Sequence, residues 1–589
     1  MGLSGVREPS SGAGTGQPWW NPQQASSMPA HRYIREEPRL PQGLADRSWP
    51  EREIARPPLW ASVDLRDGNQ ALANPMDARR KRRMFDLLVG MGFKEIEVGY
   101  PASSAADFSF IRELITQDLV PDDVTIVVFT PARLDLIDRT FEAVQGAKRA
   151  MVHLCLATAC LWREAVFSMT APELREFTLQ AARHVAALAD GMPGSQLRFE
   201  YSPETFNVTE PEFALEVCDA VSAVWDATPD RPVTLNLPAT VETDSPNVFA
   251  DQVEWMHRNL NRRESVILSV HPHNDRGTAV ASAELAVMAG ADRIEGTLFG
   301  NGERTGNVCL ATLALNLFSR GIDPQLDFSD IDAIRRTVEQ CNQMPVPARH
   351  PYAGDLVYTA FSGTHQDAIG KGFAALDKRS ARTGRSAAEL PWEVPYLPID
   401  PKDVGRTYES VVRVNSQSGK GGVAHVLKTH YGLDLPRTLR VELAKAVQEV
   451  TDETGVEVSS RHLWEVFTET YLEPRPGLLL KEVEESPQGN RVGVTVTLAE
   501  PGGRERELTG IGDQFSDALL DALAYLGHDI RLHQLTHHTV DDHATPRTAA
   551  YVQLTTGTST AHGAGIDPDS HTAVATAVFN ALNKALAPQ

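Results

Sequence analysis

The stretch Val266-Ile267-Leu268-Ser269-Val270-His271-Pro272-His273-Asn274-Asp275 decides the fold. A short apolar run rich in β-branched residues stops at a polar cluster, and an amphipathic helical pattern follows at about 278–289. Such a unit reads as a buried strand, a loop and a helix. Working outward, the same unit recurs along the chain. Strand-like runs stand at 61–64, 95–98, 124–129, 150–156, 197–201, 232–237, 266–271 and 293–298. Helical stretches fill the gaps at about 77–91, 105–117, 132–146, 172–190, 211–227 and 247–259, and the last follows at about 308–319. Eight βα units over residues 61–320 match the count and size of a (β/α)8 barrel of the α/β class. A doubly wound sheet seldom runs to eight equal units.

Residues 1–60 read as an N-terminal arm, Pro-rich, with Trp19-Trp20, Trp49 and Trp60 as isolated anchors and too little periodicity for a core of its own. The barrel takes 61–325, and 326–435 read as post-barrel linker subdomains of mixed helix and loop. Residues 436–589 combine a helical piece (436–472) with a C-terminal α+β domain. There Gly510-Ile511-Gly512-Asp513 precedes a helical pattern at 515–526, and Gly563-Ala564-Gly565-Ile566-Asp567 precedes another at 570–586. Two strand-like runs feed each, at 491–498 and 505–510, then 549–556 and 558–562, so the domain reads as two ββα repeats. The glycine pairs Gly510/Gly512 and Gly563/Gly565 would let a small effector approach backbone N–H groups, or would only make the turns.

The composition narrows the function classes. With 42% hydrophobic and 23% charged residues in a chain of 589, a disordered or fibrous protein is excluded. Lys+Arg total 56 against 78 Asp+Glu, a formal charge of −22, which argues against nucleic-acid or anionic-membrane partners. The one basic run, Arg79-Arg80-Lys81-Arg82-Arg83, predicts a solvated helix face. Five cysteines without a C-x-x-C pair fit a reducing cytoplasm. No signal-peptide pattern opens the chain, and no apolar run approaches the length of about 20 residues that crosses a bilayer.

In a (β/α)8 barrel the reactive groups gather where the strands end. Strand 1 ends in Asp64-Leu65-Arg66-Asp67-Gly68-Asn69-Gln70, strand 4 carries His153, and strand 5 ends at Ser202-Pro203-Glu204. Strand 6 runs out through Asn236-Leu237-Pro238-Ala239-Thr240, and strand 8 into Gly300-Asn301-Gly302-Glu303-Arg304-Thr305-Gly306-Asn307. His271 and His273 are two apart on an extended segment, so both imidazoles face one side and can share a metal ion. Asp67 adds a carboxylate and Asn307 a carbonyl oxygen, a set suited to Mg²⁺, Mn²⁺ or Zn²⁺ with positions left for substrate. Arg66 offers a fixed cation to a carboxylate or a developing oxyanion. The glycine-rich 300–306 loop has the wrong spacing and place for a dinucleotide fingerprint and reads as a loop for a phosphate-bearing ligand. The Gly-rich 415–422 stretch lacks P-loop spacing. His533, His537, His538 and His543 read as solvated loop residues.

These motifs resemble the α-isopropylmalate synthase family, of the long actinobacterial type, over nearly the whole chain. The likeness includes Asn21-Pro22-Gln23-Gln24 and Ser26-Ser27-Met28-Pro29 in the arm, the Arg66, Thr240, His271 and Gly302-to-Asn307 motifs, the His365 segment and the Ser416-to-Gly422 loop. It implies a metal-dependent acyltransferase that condenses acetyl-CoA with 3-methyl-2-oxobutanoate to give 2-isopropylmalate and CoA, the first step to leucine. Arg66, Glu204, His365 and Tyr396 would be its catalytic residues, and His153, Ser202, Glu204 and Thr240 would line the keto-acid pocket. The resemblance further implies Mg²⁺ before Mn²⁺ or Zn²⁺, with K⁺ as an accessory ion. It implies a homodimer in which one chain's post-barrel segment covers the other's barrel, and leucine as feedback inhibitor at the C-terminal domain. Three places depart from the family's pattern. Cys155 stands where a Tyr is usual and Phe129 where a Leu is usual, both facing the keto-acid's alkyl group. Gly512-Asp513-Gln514-Phe515 replaces the usual Gly-Asn-Gly-Pro. A paralogue that condenses acetyl-CoA with another 2-oxo acid is the nearest rival reading. A metal-dependent hydrolase would usually carry its H-x-H on the first strand, and a non-enzymatic amino-acid sensor would not need the metal-ligand rim.

Overall fold

The computed structural model describes residues 44, 46–360, 362–406, 423–424, 427–428, 431–454, 460–473, 477–540 and 546–587. The motif at 21–29, Trp19-Trp20, His543 and the 416–422 loop lie outside them. Eight strands, β1 (Leu59–Ser62), β2 (Glu95–Gly99), β3 (Thr125–Pro131), β4 (Arg149–Ala157), β5 (Gln196–Glu204), β6 (Val233–Ala239), β7 (Val266–Pro272) and β8 (Arg293–Gly296), pair in parallel and in sequence order. The barrel closes through β1 and β8, with Trp60 opposite Ile294. Outside run α1 (Ala78–Met91), α2 (Ala105–Thr116), α3 (Leu134–Val144), α4 (Ala171–Asp190), α5 (Pro211–Val224), α6 (Pro246–Asn259), α7 (Ala279–Met288) and α8 (Leu310–Phe318). Local chemistry starts several of them: Asp77, Ser104 and Thr170 accept from backbone N–H groups of the first turn, and Thr170 with Glu173 forms a capping box. The first strand begins two residues before the predicted run, which takes Trp60 out of the arm and into the barrel.

Parallel strands buried on both faces usually read as unbroken apolar runs. Here the strands alternate. Ile96, Val98, Val152, Leu154, Leu235, Leu237, Leu268 and Val270 are fully buried in the layer shared with the helices. The intervening positions fill the barrel with charge. Arg293 on β8 reaches Glu95 on β2 at 2.6 Å and Glu200 on β5 at 3.1 Å, so these side chains meet inside the barrel. It also holds Glu295, at 2.8 Å. Buried charges survive only when paired in this way. The predicted solvated face of α1 needs correction as well, because Lys81 is 1% exposed and pairs with Asp107 of α2. A helix presents a new side every few residues, so a run of five basic residues cannot lie on one face.

After the barrel come α9 (Ile331–Asn342) and α10 (Gly363–Thr383), then α11 (Arg437–Thr454) and α12 (Ser460–Phe467). Arg80 of α1 donates to the Cys341 carbonyl of α9 at 3.1 Å. The C-terminal domain holds two antiparallel three-stranded sheets, β9 (Leu479–Gln488), β10 (Arg491–Ala499) and β11 (Glu505–Gly512), then β12 (Ile530–Val540), β13 (Arg547–Thr556) and β14 (Ser559–Asp567). Helices α13 (Phe515–Ala524) and α14 (Ser570–Leu586) follow them in turn. Each repeat therefore carries one strand more than the predicted ββα. The missed strands, β9 and β12, are edge strands and largely polar, so they lack the apolar alternation that marks a half-buried strand. His533, His537 and His538 belong to β12, not to a loop. His538 stacks on Tyr551 and lies 3.1 Å from the Gly432 carbonyl, tying the sheet to the segment before α11.

Candidate active site

The ends of the strands enclose a cavity of about 260 Å³ lined by Arg66, Asp67, Phe129, His153, Cys155, Ser202, Glu204, Thr240, His271 and His273, together with Tyr100 and Arg304. Predicted groups from six strand ends thus converge on one space. Arg66 and Asp67 sit on a short helical turn, Asp64–Gly68, that β1 feeds directly. One ligand atom each from Asp67, His271 and His273 lie within 4.8 Å of one another, and all three residues are buried. His271 Nε2 and His273 Nε2 stand 3.4 and 3.7 Å from Asp67 Oδ2. Asn307 is brought alongside by its bridge to His273. Among the described residues, Asp67 Oδ2 and Asn307 Oδ1 are buried acceptors without a hydrogen-bond partner. Two unspent oxygens beside two imidazoles fit a divalent cation.

The electrostatics agree. Burial opposes charge on His271, yet the carboxylates of Asp67 and Glu295 on either side raise its pKa to about 10. Burial and the neighbouring His271 push His273 down to about 4. Burial would raise Asp67, but Arg66 and the imidazoles hold its carboxyl well below the usual range. The carboxylates of Asp67 and Glu295 thus favour positive charge beside the space that the three side chains share. Glu295 accepts at 2.8 Å from His271 Nδ1, which leaves Nε2 for the ion.

Arg66 is fixed by Asp67 at 2.9 Å and by Glu97 at 2.5 Å. Its guanidinium lies 4.8 Å from the Phe129 ring centroid, and Phe129 in turn packs edge-on against Tyr100 and His153. Cys155 Sγ lies 3.8 Å from Glu204 Oε2. Burial holds the Glu204 carboxyl above its usual range, although Arg66 pulls the other way. Sequence reasoning missed Glu97, Tyr100, Glu200, Arg293 and Glu295. The signal was present in Glu95-Ile96-Glu97 and Arg293-Ile294-Glu295, charged residues alternating with apolar ones inside buried strands.

Two expectations change. The 300–306 loop folds on itself: a Cβ on Gly302 would lie 2.1 Å from the Asn307 amide nitrogen, and one on Gly306 only 1.9 Å from the Gly300 carbonyl oxygen. Its glycines shape the turn that presents Asn307 and leave no open phosphate cradle. The proposed effector glycines serve helix–sheet packing. A Cβ on Gly510, Gly512, Gly563 or Gly565 would strike the backbone of α13 or α14 at 2.2–2.4 Å. Helix backbone fills the space beside them that a ligand would need. His365 and Tyr396 stack with ring centroids 4.0 Å apart, but Tyr396 is 59% exposed and neither lines this chain's cavity.

An Asp-His-His set with an adjacent Arg on the rim of a (β/α)8 barrel suits a divalent cation, the barrel being of the metal-binding enzyme class, and residues 58–338 match the HMGL-like family. Residues 355–428 match the post-catalytic domain of α-isopropylmalate synthase, and 457–586 the LeuA allosteric (dimerisation) domain. The 2-isopropylmalate synthase of Parafrankia sp. (strain EAN1pec) is 54% identical over 96% of this chain and 99% of its own length. That of Mycobacterium leprae (strain TN) is 52% identical over 99% and 96%. The chain belongs to the 2-isopropylmalate synthase family. An HMG-CoA lyase structure from Brucella melitensis aligns at 18% identity over 49% of this chain and 97% of the lyase, with a TM-score of 0.38. None of the described helices is long and apolar enough to cross a membrane.

Proposed function

We propose that the chain condenses acetyl-CoA with 3-methyl-2-oxobutanoate and hydrolyses the thioester, releasing 2-isopropylmalate, CoA and a proton. Near-full-length identity to 2-isopropylmalate synthases carries this reading. Asp67, His271, His273 and Asn307 would hold a divalent ion, Mg²⁺ in our reading, which supplies a Lewis acid for the keto-acid's carbonyl and carboxylate when bound. Arg66, held rigid by Glu97 and Phe129, stabilises the negative charge that grows on the carbonyl oxygen. Glu204, with its raised pKa, suits proton transfer at the acetyl methyl. His153, Ser202 and Thr240 orient the keto-acid, while Phe129 and Cys155 bound its alkyl group. His365 and Tyr396 would serve a partner's cavity in a homodimer, with leucine as an inhibitor acting through the C-terminal domain and K⁺ as an accessory ion.

A second reading, a paralogue for another 2-oxo acid, is favoured by Phe129 and Cys155, which put a ring on β3 and a small side chain on β4. Free-thiol release with a panel of 2-oxo acids tests both. The first reading expects the highest kcat/KM with 3-methyl-2-oxobutanoate. A clear preference for another acid establishes the second.

A further inference from the structure

A continuous line of hydrogen bonds runs beneath the cavity, with one member from almost every strand. Arg66, after β1, donates to Glu97 of β2, and Glu97 Oε1 meets His153 Nδ1 of β4 at 2.7 Å. His153 Nε2 lies 2.7 Å from Ser202 Oγ of β5. Asn236 of β6 donates through Nδ2 to Ser202 Oγ at 3.0 Å and to Glu295 of β8 at 2.9 Å, and Glu295 meets His271 of β7. Only β3 supplies no polar member; its Phe129 packs against both Arg66 and His153.

The directions of these bonds follow from the residue types. A carboxylate only accepts. Asn236 must therefore turn its NH₂ toward Glu295, and the same nitrogen then donates to Ser202. Glu97, taking a hydrogen bond from Arg66, accepts from His153 Nδ1, so that nitrogen carries a hydrogen. Both ends of the line are fixed. The His153 Nε2–Ser202 Oγ bond alone runs either way: Ser202 donates when the imidazole is neutral, and His153 donates when Nε2 is protonated. In the second state the Ser202 hydroxyl hydrogen is released toward the cavity that Ser202 lines. A hydroxyl in hydrogen-bond reach of an imidazole, itself oriented by a carboxylate, is the arrangement that moves protons in many hydrolases. Ser202 is only 2% exposed and held by Asn236, which suits passing a proton better than attacking a substrate.

We infer that Ser202, His153 and Glu97 form a proton relay, and that it supplies the proton taken up by the 2-oxo acid's carbonyl oxygen during condensation. This rests on the condensation reading above. As the acetyl carbon bonds to the carbonyl carbon, the C=O π pair moves onto oxygen. Ser202 gives its hydroxyl proton to that oxygen, and His153 Nε2–H replaces it on Ser202, leaving a neutral imidazole with Nδ1–H on Glu97. The acetyl methyl has given up one proton to its base, so condensation is proton-neutral, and exchange with solvent resets both groups. Ser202 is thus a catalytic residue and Glu97 a positioning residue.

The test compares Ser202→Ala and Ser202→Thr, on whichever 2-oxo acid the wild type turns over best. Ser202→Ala should lower kcat by about 10²-fold or more, a larger factor than any rise in keto-acid KM, while Mn²⁺ affinity stays close to that of the wild type. Ser202→Thr, which keeps a hydroxyl, should recover at least about tenfold of that loss. A Ser202→Ala enzyme with unchanged kcat, a loss confined to KM, or a folded Ser202→Thr no faster than Ser202→Ala overturns the relay. A wild type idle on every 2-oxo acid overturns the condensation reading, and the relay with it.

Discussion

Two histidine–carboxylate clusters in this chain, one buried and one half-buried, do different work. At the barrel rim, His271 stands between Glu295 and Asp67, while Asp67 Oδ2 and Asn307 Oδ1 accept no hydrogen bond among the described residues. At the junction of α11 with the C-terminal domain, His562 meets Glu442 at 2.5 Å. The other Glu442 oxygen takes Lys584 at 2.6 Å, and Lys584 lies over the Tyr471 ring. The second cluster answers its carboxylate with two cations and ties three elements together, although His562 Nε2 has no hydrogen-bond partner among the described residues. The first leaves acceptors unspent around a cavity. Residue type alone does not separate a site from a clasp; what separates them is whether the charges are answered by neighbours or point together into open space.

Among substitutions that leave the metal ligands and the relay intact, the largest effect should come from Arg66. Its Ala variant should lose about 10²–10³ in kcat with a smaller change in keto-acid KM, because the guanidinium acts on charge that develops in the transition state. A change in KM alone would place Arg66 in substrate binding, and the rim would then resemble the clasp. Next comes the pocket. Reshaping an apolar pocket by about a methylene is worth 10–200-fold in discrimination. Cys155→Tyr combined with Phe129→Leu should narrow acceptance toward the branched C5 acid by a factor in that range, read as kcat/KM ratios across the panel. Identical rankings in wild type and double variant would make both residues neutral to specificity.

The smallest effect belongs to the clasp. Burial would raise the Glu442 pKa, but His562 and Lys584 hold it down at about 2. A carboxyl whose folded pKa is depressed stabilises the fold above its unfolded pKa of about 4.5, and that contribution fades as pH falls toward the folded value. Glu442→Gln should therefore weaken the C-terminal domain at neutral pH and flatten its stability between about pH 4.5 and 2, with turnover at neutral pH little changed. Thermal melts at stepped pH check this. Parallel pH profiles for the two proteins would remove Glu442 from the account.

Much of the barrel was legible because each strand ends where polarity begins, as in Val270-His271-Pro272-His273. Position on a strand end, together with residue type, marks Asp67, His271, His273 and Arg66, and the structure brings them to one cavity. Glu97 and Glu295 were passed over, because a charged residue inside a buried strand gains its meaning only from a partner on another strand, and Arg293 pairs across the barrel. The strands β9 and β12 stayed hidden for a different reason: edge strands with half-exposed faces carry little periodicity. The glycines at 510, 512, 563 and 565 read as either ligand-facing or turn-making, since sequence shows the missing side chain and not the helix that needs its room. His365 and Tyr396 came from resemblance, and a single chain does not bring them to its own cavity.

The measurement that bears most directly on the central claim is metal stoichiometry paired with turnover, for the wild type and for His271→Ala. The account predicts one divalent ion per chain and thiol release in the wild type, both lost on chelation and both restored by Mg²⁺ or Mn²⁺. It predicts neither in His271→Ala at ion concentrations that saturate the wild type. A His271→Ala enzyme that keeps a stoichiometric ion and full turnover would contradict the assignment of Asp67, His271 and His273 as the centre of the site.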